Sequence, residues 1–179
     1  MIRWQPTRAD TASARRRRLL LSLMIKAGIA AILVSAFIHP RPVLVYNPSP
    51  SVPIGFYLLA APEALVRGDL VLAPLPDPIH TWADKRGYVP ATVPVLKQVA
   101  ALAGDEVCAT GPTVRINGQT VATRLRSDRA GRGLPWWEGC RRLTSGEVFL
   151  FNAASHQSFD GRYFGVTKRT AIIGKAHRL

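Results

Sequence analysis

The sequence predicts a mainly β protein, an antiparallel β domain that follows one N-terminal transmembrane helix. First, residues 19–38 form an apolar run long enough to cross a bilayer. Second, the apolar segments beyond this run are short and bounded by turn residues, without a long 3.6-residue period. The chain has 179 residues, of which 47% are hydrophobic and 20% charged, so it has a core to bury and is not disordered.

Residues 1–18 carry a concentrated positive charge. They contain six arginines, four of them consecutive at 15–18, against the single acid Asp10. Lysine and arginine stay on the cytoplasmic side of a membrane, so this stretch is predicted to be a basic cytoplasmic segment. The net charge is +13, but the remainder is spread along the chain, so no specific nucleic-acid binding is expected.

Residues 19–38, LLLSLMIKAGIAAILVSAFI, are predicted to form the transmembrane helix. At about 1.5 Å per residue, their length matches a hydrocarbon core of roughly 30 Å. A cleavable signal peptide is the alternative, but its apolar region would be about 7 to 15 residues long. An uncleaved single-pass anchor is therefore favoured, with residues 39–179 across the membrane as one domain. Lys26 is interpreted as a lysine that reaches back to the headgroups.

The part of the chain after the anchor is predicted to be built from strands and turns. Asn117-Gly118, between two alternating segments, is typical of a two-residue hairpin turn. The stretches at 77–90 and 126–139 are predicted to be loops, and Trp136 and Trp137 in the second are expected either at the bilayer interface or in the core. The predicted strands are GFYLLA (55–60), DLVLAPL (69–75), VPVLKQVAAL (93–102), TVRI (113–116), EVFLF (147–151) and TAIIG (170–174).

The stretch NPSPSVPIGFY, residues 47–57, holds two serines in a stiff frame. Its three prolines fix their own φ and bias the residue before each of them toward extended geometry, so the stretch is rigid but not helical. Such a frame suits a nucleophile at Ser49 or Ser51. Taken alone, however, serine- and proline-rich sequence is more often a linker.

Lys97 stands in an apolar strand pattern, on the same side of the alternation as Val95 and Val99. If this side faces the core, desolvation lowers the pKa of the lysine and makes its amine a usable general base. The alternative is a lysine on an edge strand that points to water.

Other chemistries have weaker support in the sequence. The sequence contains no CxxC or HxxxH spacing and no glycine-rich nucleotide loop, so neither a metal nor a cofactor is expected. A Ser-His-Asp triad stays open, because its members need not be adjacent in the sequence. The two cysteines, Cys108 and Cys140, lie beyond the anchor, where an oxidising compartment permits a disulfide; two separate buried thiols are the alternative. The four histidines are scattered at His39, His80, His156 and His177.

Four segments, NPSPSVPIGFYLL, RGDLVLAPL, VLKQVAALAGDEV and SGEVFLFNAASHQSFDGRYFGVTKRTAIIGKA, resemble in order and separation the conserved boxes of type I signal peptidases. The resemblance covers most of residues 45–176. It is closest to the conjugative-transfer subgroup called TraF, whose serine box is similar to N-x-S-x-S-x-P-x-G-x-Y and which shares DGRYFG. It implies a Ser/Lys-dyad protease with an antiparallel β fold, anchored in the bacterial inner membrane with its catalytic domain in the periplasm.

The resemblance assigns roles to individual residues. Ser51 corresponds to the nucleophile, Lys97 to the general base, and Ser49 to a residue whose hydroxyl helps to hold the oxyanion. In SFDGRYFG, Ser158 corresponds to a residue that orients the lysine amine. Asp160 and Arg162 correspond to a pair that supports the dyad, with an ordinary surface ion pair as the alternative.

Two departures from the family pattern concern this last segment. Gly161 replaces a common serine, and FNAASHQ stands where housekeeping signal peptidases carry a G-D-N-R turn. Both are consistent with the transfer subgroup, and they make substrate details of the housekeeping enzymes a poor guide.

The function implied is that of a membrane-anchored serine endopeptidase acting through an acyl-enzyme on an exported precursor, expected to be a conjugative pilin. An extended substrate is expected to add as a strand beside the catalytic strands. Hydrolysis and cyclisation of the product both stay open, as does the oligomeric state. The alternative function is a non-catalytic membrane component of a conjugation or secretion apparatus.

Overall fold

The computed structural model describes residues 8–37 and 43–179, which fall into two compact units divided between Arg41 and Pro42. The first unit contains one long helix, α1 (Arg8–Phe37). Its apolar side chains between Leu19 and Val34 are largely exposed. No helix within the described ranges combines the length and apolarity needed to cross a bilayer. The predicted span at 19–38 ends at Ile38, outside the described residues, and stays a prediction.

The second unit is an antiparallel β structure, which confirms the mainly β part of the predicted fold class. All of its strand pairs within residues 43–179 are antiparallel. The strands are β1 (Leu44–Asn47), β2 (Gly55–Ala60), β3 (Leu70–Ala73), β4 (Val95–Ala101), β5 (Glu106–Thr110), β6 (Thr113–Ile116), β7 (Gln119–Thr123), β8 (Gly139–Arg142), β9 (Glu147–Leu150), β10 (Val166–Lys168) and β11 (Gly174–Arg178). Two short helices, α2 (Ile79–Lys85) and α3 (Gly161–Phe164), connect them.

The larger sheet has seven strands in the order β1-β2-β11-β3-β4-β9-β10. Strand β4, which carries Lys97, is an interior strand between β3 and β9, so the edge-strand interpretation of this lysine does not apply. Lys97 pairs in register with Val71, and its neighbours Leu96 and Val99 are buried. The alternation in the sequence therefore places the lysine in the interior of the fold.

The smaller sheet has four strands in the order β7-β6-β5-β8. Asn117 and Gly118 form the predicted two-residue turn, with φ angles of 50° and 78°, and Ile116 pairs with Gln119 across it. Positive φ at both turn positions matches the twist of the flanking strands, which explains the Asn-Gly pair.

A disulfide joins β5 to the edge strand β8 of this sheet. Cys108 on β5 lies directly opposite Cys140 on β8, with their Cα atoms 4.0 Å apart and their sulfurs bonded. The disulfide that the sequence permitted is therefore present, and the alternative of two separate thiols is wrong.

Two local predictions are wrong. The stretch at 77–90 contains helix α2, which begins after Pro78 and packs Ala83 and one face of Trp82 inward, so tertiary contacts decide a segment whose composition is typical of loops. The stretch at 170–174 does not form a strand: its first two residues end a 3-10 turn (Arg169–Ala171), and β11 begins only at Gly174. A Cβ at Gly174 would lie 2.9 Å from the carbonyl oxygen of Ala60, because the strand backbones approach closely there.

The core consists of apolar clusters within and between the two sheets. One cluster, called here the cluster of the smaller sheet, joins apolar side chains of that sheet to Phe149 on β9. Trp137 packs against it, with its ring centroid 6.3 Å from that of Phe149. Its Nε1 donates a hydrogen bond to the carbonyl of Gly161 at 2.9 Å. Of the two predicted locations for this tryptophan, the core is correct.

Candidate active site

One cavity of about 690 Å³ in the unit 42–179 gathers most of the predicted site residues. Ser49 and Ser51 reach it from the turn after β1, Lys97 from β4, and Ser158 from the segment between β9 and α3. These residues are up to 109 positions apart in the sequence, from Ser49 to Ser158. The rest of the lining is largely apolar, and it includes Val45, Leu72, Leu96 and Phe159.

The turn that carries the two serines is organised by the side chain of Asn47. Its amide nitrogen donates to the carbonyls of Ser49 (2.8 Å), Val52 and Pro53 (both 3.2 Å), and its amide oxygen accepts from the Ser49 N–H at 3.1 Å. The last contact is an Asx turn, in which an asparagine side chain replaces a turn of backbone. Asn47 is 8% exposed, so these bonds are largely shielded from water.

A tyrosine on β2 fixes the far end of the same turn by a hydrogen bond. The hydroxyl of Tyr57, which is 1% exposed, donates to the carbonyl of Pro53 at 2.5 Å. Between them, Gly55 has a φ of 148°, a backbone conformation that disfavours any side chain. The serine box N-x-S-x-S-x-P-x-G-x-Y therefore corresponds to one rigid turn, clamped at both ends.

The two serines of the turn contact each other. The Oγ of Ser49 lies 3.1 Å from the Oγ of Ser51, and it accepts a hydrogen bond from the Ser51 N–H at 3.3 Å. Ser51 is half-buried and Ser49 is exposed. The Ser49 hydroxyl and the Ser51 N–H, the two donors that the resemblance assigns to the oxyanion, therefore lie together, and in this structure each donates within the serine pair.

Lys97 is the most buried cationic group of the cavity, with 4% of its surface exposed. Its Nζ donates to the Oγ of Ser158 at 2.9 Å. Burial lowers the pKa of Lys97 from 10.5 to about 8; the charge of Asp160 opposes this change and that of Arg162 adds to it. A substantial fraction of this amine is therefore neutral near pH 8.

The backbone on both sides of Lys97 is held by Asn152. The Oδ1 of Asn152 accepts from the Gln98 N–H at 3.0 Å, and its Nδ2 donates to the Leu96 carbonyl at 3.4 Å. Asn152 lies just after β9, so its side chain continues the pairing between β9 and β4 past the end of the strand. It belongs to FNAASHQ, where the family pattern is absent.

Asp160 and Arg162 form a fully buried ion pair and not a surface one. Their side chains are 0% and 1% exposed, and the Nη2 of Arg162 lies 2.8 Å from the Oδ2 of Asp160. Asp160 also accepts from the backbone N–H groups of Asn152 and Arg162, and it caps α3. The guanidinium further donates to the carbonyls of Asn152, Ser155 and His156. Such a pair is costly to break, because either partner alone would be a buried, uncompensated charge.

Some of the predicted geometry is absent. Within the described ranges, the amine of Lys97 is hydrogen-bonded to Ser158 and not to Ser51, although both serines line the cavity. His80 lies on α2 against Asp77, and neither His80 nor His156 lines this cavity. Among the described residues, the one group of possible metal ligands is Glu106, Cys108 and Cys140, whose sulfurs are in the disulfide.

Sequence reasoning missed the two asparagines that hold the site. The role of Asn47 could have been predicted, because an asparagine in a stretch rich in proline and serine is typical of an Asx turn, in which its side chain accepts from the N–H two residues later. Asn152 had none, since it acts on backbone groups of a strand that is 54 residues earlier.

Comparison with known proteins places this chain in a family. The model of the family described as signal peptidase, peptidase S26, matches residues 16–179. Two proteins of Escherichia coli, each named plasmid transfer protein TraF, are 30% and 31% identical to this chain; the alignments cover 83% and 89% of this chain and 88% and 94% of those proteins. A probable conjugal transfer protein TraF of Sinorhizobium fredii is 30% identical, over 93% of both chains.

Among solved structures, a signal peptidase I from Enterococcus faecalis V583 matches 63% of this chain and 97% of its own. The sequence identity is 19% and the TM-score is 0.38.

Proposed function

Because this chain belongs to the signal peptidase S26 family, we propose that it is a serine endopeptidase in which Ser51 is the nucleophile and Lys97 the general base. The observation that supports this assignment most strongly is the state of Lys97. Its amine is buried beside the same cavity that Ser51 lines, and burial lowers its pKa to about 8. A base must be neutral to accept the proton of a serine hydroxyl.

The proposed reaction begins when the Ser51 Oγ attacks the carbonyl carbon of the scissile bond. Its proton passes to the neutral amine of Lys97, and the carbonyl oxygen becomes an oxyanion. The Ser49 hydroxyl and the Ser51 N–H, which are already in contact, donate to that oxygen. The Lys97 ammonium then protonates the leaving amine, and an acyl-enzyme on Ser51 is formed.

The acyl-enzyme is resolved by a second nucleophile. Water deprotonated by Lys97 yields a free carboxylate, whereas the amino terminus of the same substrate yields a circle. The substrate is proposed to bind as an extended strand beside β1. Strand β1 is at the edge of the larger sheet, and its residues Val45 and Tyr46 line the cavity.

The TraF relatives support a role in conjugative transfer. We propose that the substrate is an exported precursor used in that process, a pilin. Incubation with a candidate pilin and mass measurement of the product distinguishes the two outcomes, since a circular product is lighter than the hydrolysed one by one water.

The location is proposed to be the bacterial inner membrane, with residues 19–38 as the anchor and the peptidase domain in the periplasm. The support is the exposed arginine cluster at 15–18, the exposed apolar side chains of α1 that follow it, and the disulfide beyond it. A reporter that is active only outside the cytoplasm, fused after Leu179, is expected to work. Activity of a cytoplasm-dependent reporter at that position would contradict the orientation.

The proposed activity is tested with a serine-reactive probe and a candidate pilin. Wild type is expected to be labelled and to cleave, and Ser51→Ala to do neither. Ser145→Ala, which changes an exposed serine outside the cavity, is the matched control and is expected to behave as wild type. If wild type neither reacts nor cleaves, a non-catalytic component of the transfer apparatus becomes the better assignment.

A further inference from the structure

Three aromatic rings form a continuous stack beside the cavity. The ring of Phe159 lies between those of Trp82 and Tyr163, at centroid distances of 5.5 and 5.6 Å and interplanar angles of 11° and 6°. Tyr88 and Phe164 approach the ring of Phe159 edge-on, at 5.7 and 5.9 Å. Phe159 is thus in contact with four other aromatic rings, an arrangement that fixes the position of its own ring closely.

The position of Phe159 in the chain makes this stack relevant to the site. Phe159 stands between Ser158, which accepts the hydrogen bond of the Lys97 amine, and Asp160, which pairs with Arg162. These two neighbours are held very differently. Asp160 is fixed by the Asn152 N–H, the Arg162 N–H and the guanidinium. Apart from its bond with Lys97, Ser158 makes one hydrogen bond to the described part of the chain, from its N–H to the Ser155 carbonyl at 3.2 Å. The ring of the next residue is therefore an important restraint on Ser158.

Trp82 contributes to this restraint from outside the cavity. It lies on α2 and does not line the cavity, whereas Phe159, Tyr163 and Tyr88 do. The guanidinium of Arg86 lies over the Trp82 ring, with its carbon 4.2 Å from the ring centroid.

Helix α2 is itself tied to the segment 126–139. Arg86 Nη1 donates to the carbonyl of Gly133 at 2.6 Å, and the hydroxyl of Tyr88, just after the helix, donates to the carboxylate of Asp128. Trp82 is therefore presented to Phe159 by a helix that is attached at two points.

We propose that Trp82 is a positioning residue for the reaction: by stacking on Phe159 it fixes Ser158, and through Ser158 it fixes the amine of Lys97. The inference rests on the proposed function, in which Lys97 is the base. It goes beyond the signal peptidase boxes quoted above, because Trp82 lies in none of them. It predicts a loss of turnover without a loss of substrate binding, since Trp82 does not line the cavity.

Replacement of Trp82 removes no charged group from the surroundings of Lys97. The two that affect it are Asp160 and Arg162, and neither belongs to the stack. On the side of α2, the guanidinium of Arg86 lies over the Trp82 ring, and Asp128, Arg129 and Arg132 line the same cavity as Lys97. A change in the titration of Lys97 in a Trp82 variant would therefore report a change in the position or hydration of its amine.

The test compares Trp82→Leu, which removes the ring, with Trp82→Phe, which retains one. Trp82→Leu is expected to lower kcat roughly tenfold with KM within about twofold, because a small displacement of a catalytic group is costly. Its activity midpoint in pH is expected to rise by about half a unit or more, as a less shielded amine returns toward its ordinary pKa. Trp82→Phe is expected to keep kcat within about threefold of wild type.

Leu143→Val is the matched control for a loss of stability alone. Leu143 is 3% exposed, packs in the cluster of the smaller sheet and does not line the cavity. It is expected to lower Tm with no change in kcat or in the pH midpoint. If Trp82→Leu keeps both wild-type kcat and the wild-type midpoint, or if Leu143→Val changes them equally, the proposal is overturned. Should Trp82→Leu not fold, Trp82→Met is used, which retains apolar bulk without a ring.

A second readout separates this proposal from the proposed function. Lysine side chains labelled with ¹³C at Cε allow the Lys97 pKa to be measured by NMR in wild type and in Trp82→Leu, without any substrate. If wild type proves inactive but the pKa rises in the variant, the dyad assignment fails while the positioning effect of Trp82 stands. If the pKa is unchanged, Trp82 does not position the amine.

Discussion

The two sheets of this molecule both pack apolar clusters but differ in the other groups that they hold. The four-stranded sheet contains a tight Asn-Gly hairpin, an apolar cluster and the Cys108–Cys140 disulfide. The seven-stranded sheet surrounds the buried amine of Lys97 and, just beside it, the buried pair Asp160–Arg162. The first arrangement stabilises the fold, whereas the second places polar groups where burial is costly. The comparison indicates that stability and chemistry are carried by different parts of one domain, and that mutations should separate them.

The largest expected effect is on chemistry alone. Lys97→Arg retains a positive charge that cannot deprotonate in the working range, so it is expected to abolish cleavage, as is Ser51→Ala. The double variant should be no worse than either single change, because the two residues act as a unit. Single-turnover cleavage assays measure the loss, and circular dichroism checks that the fold is intact. Substantial cleavage by Lys97→Arg would show that another group is the base.

The next effect falls on both properties at once. Asp160→Ala leaves the buried guanidinium of Arg162 without its partner and removes the cap of α3. A loss of about 3 to 5 kcal/mol in the free energy of unfolding is expected, with a fall in activity that follows the loss of local order. Urea unfolding gives the first quantity and cleavage rates the second. An Asp160→Ala protein of full stability and activity would mean that this buried pair supports neither.

Removal of the disulfide should affect stability and leave chemistry intact. The bond joins residues 32 positions apart, so Cys108→Ser with Cys140→Ser is expected to cost about 3 to 4 kcal/mol in the chain-entropy model. At temperatures where the variant is folded, its kcat should equal that of wild type, because neither cysteine lines the cavity. Thermal unfolding with parallel rate measurements makes the check. A lower kcat in folded variant protein would connect the two regions.

Replacement of the buried amine should show the reverse pattern. The folded-state pKa of Lys97 is lowered from 10.5 to about 8. Below pH 8 the lysine is charged in both states and its burial cost is fully present; between pH 8 and 10.5 the unfolded chain binds more protons, so stability rises with pH. Lys97→Met is therefore expected to be inactive yet more stable at pH 7, by roughly 1 to 3 kcal/mol. The gain should shrink as the pH rises to 10, and a Lys97→Met protein less stable than wild type at pH 7 would contradict the stated burial cost.

Wild-type activity should follow the same titration. It is expected to rise with pH as Lys97 loses its proton and to level off above about pH 8.

By contrast, His80→Ala and His156→Ala should each retain most of the activity, because neither histidine lines the cavity. This is the smallest effect expected, and a pH-rate profile of each variant measures it. If a histidine variant is inactive while Lys97→Arg still cleaves, a histidine-based triad replaces the dyad.

The parts that could be predicted from the sequence are those governed by neighbours in the chain. The hairpin at Asn117-Gly118 and the bounds of β2 and β6 follow from local turn chemistry and alternation. Helix α2 could not be predicted in this way, since contacts such as Trp82 on Phe159 join residues far apart in the chain.

The site divides along the same line. Ser49, Ser51, Lys97 and Ser158 were predicted from resemblance, and the structure brings them to one cavity. The degree of burial of Asp160 and Arg162, and the clamp from Asn152 onto β4, depend on tertiary packing that no local pattern encodes.

The place of β11 in the larger sheet affects how this protein is made. Among the described strands it is synthesised last, yet it lies in the sheet interior, where it joins β2 to β3. Synthesis runs from the amino terminus, so the serine turn next to β2 and the lysine on β4 belong to separate halves of an unfinished sheet until β11 is added. In a nascent chain without β11, Ser51 and Lys97 are therefore not yet connected through one continuous sheet. We therefore expect the proposed dyad to be completed only after β11 has been synthesised.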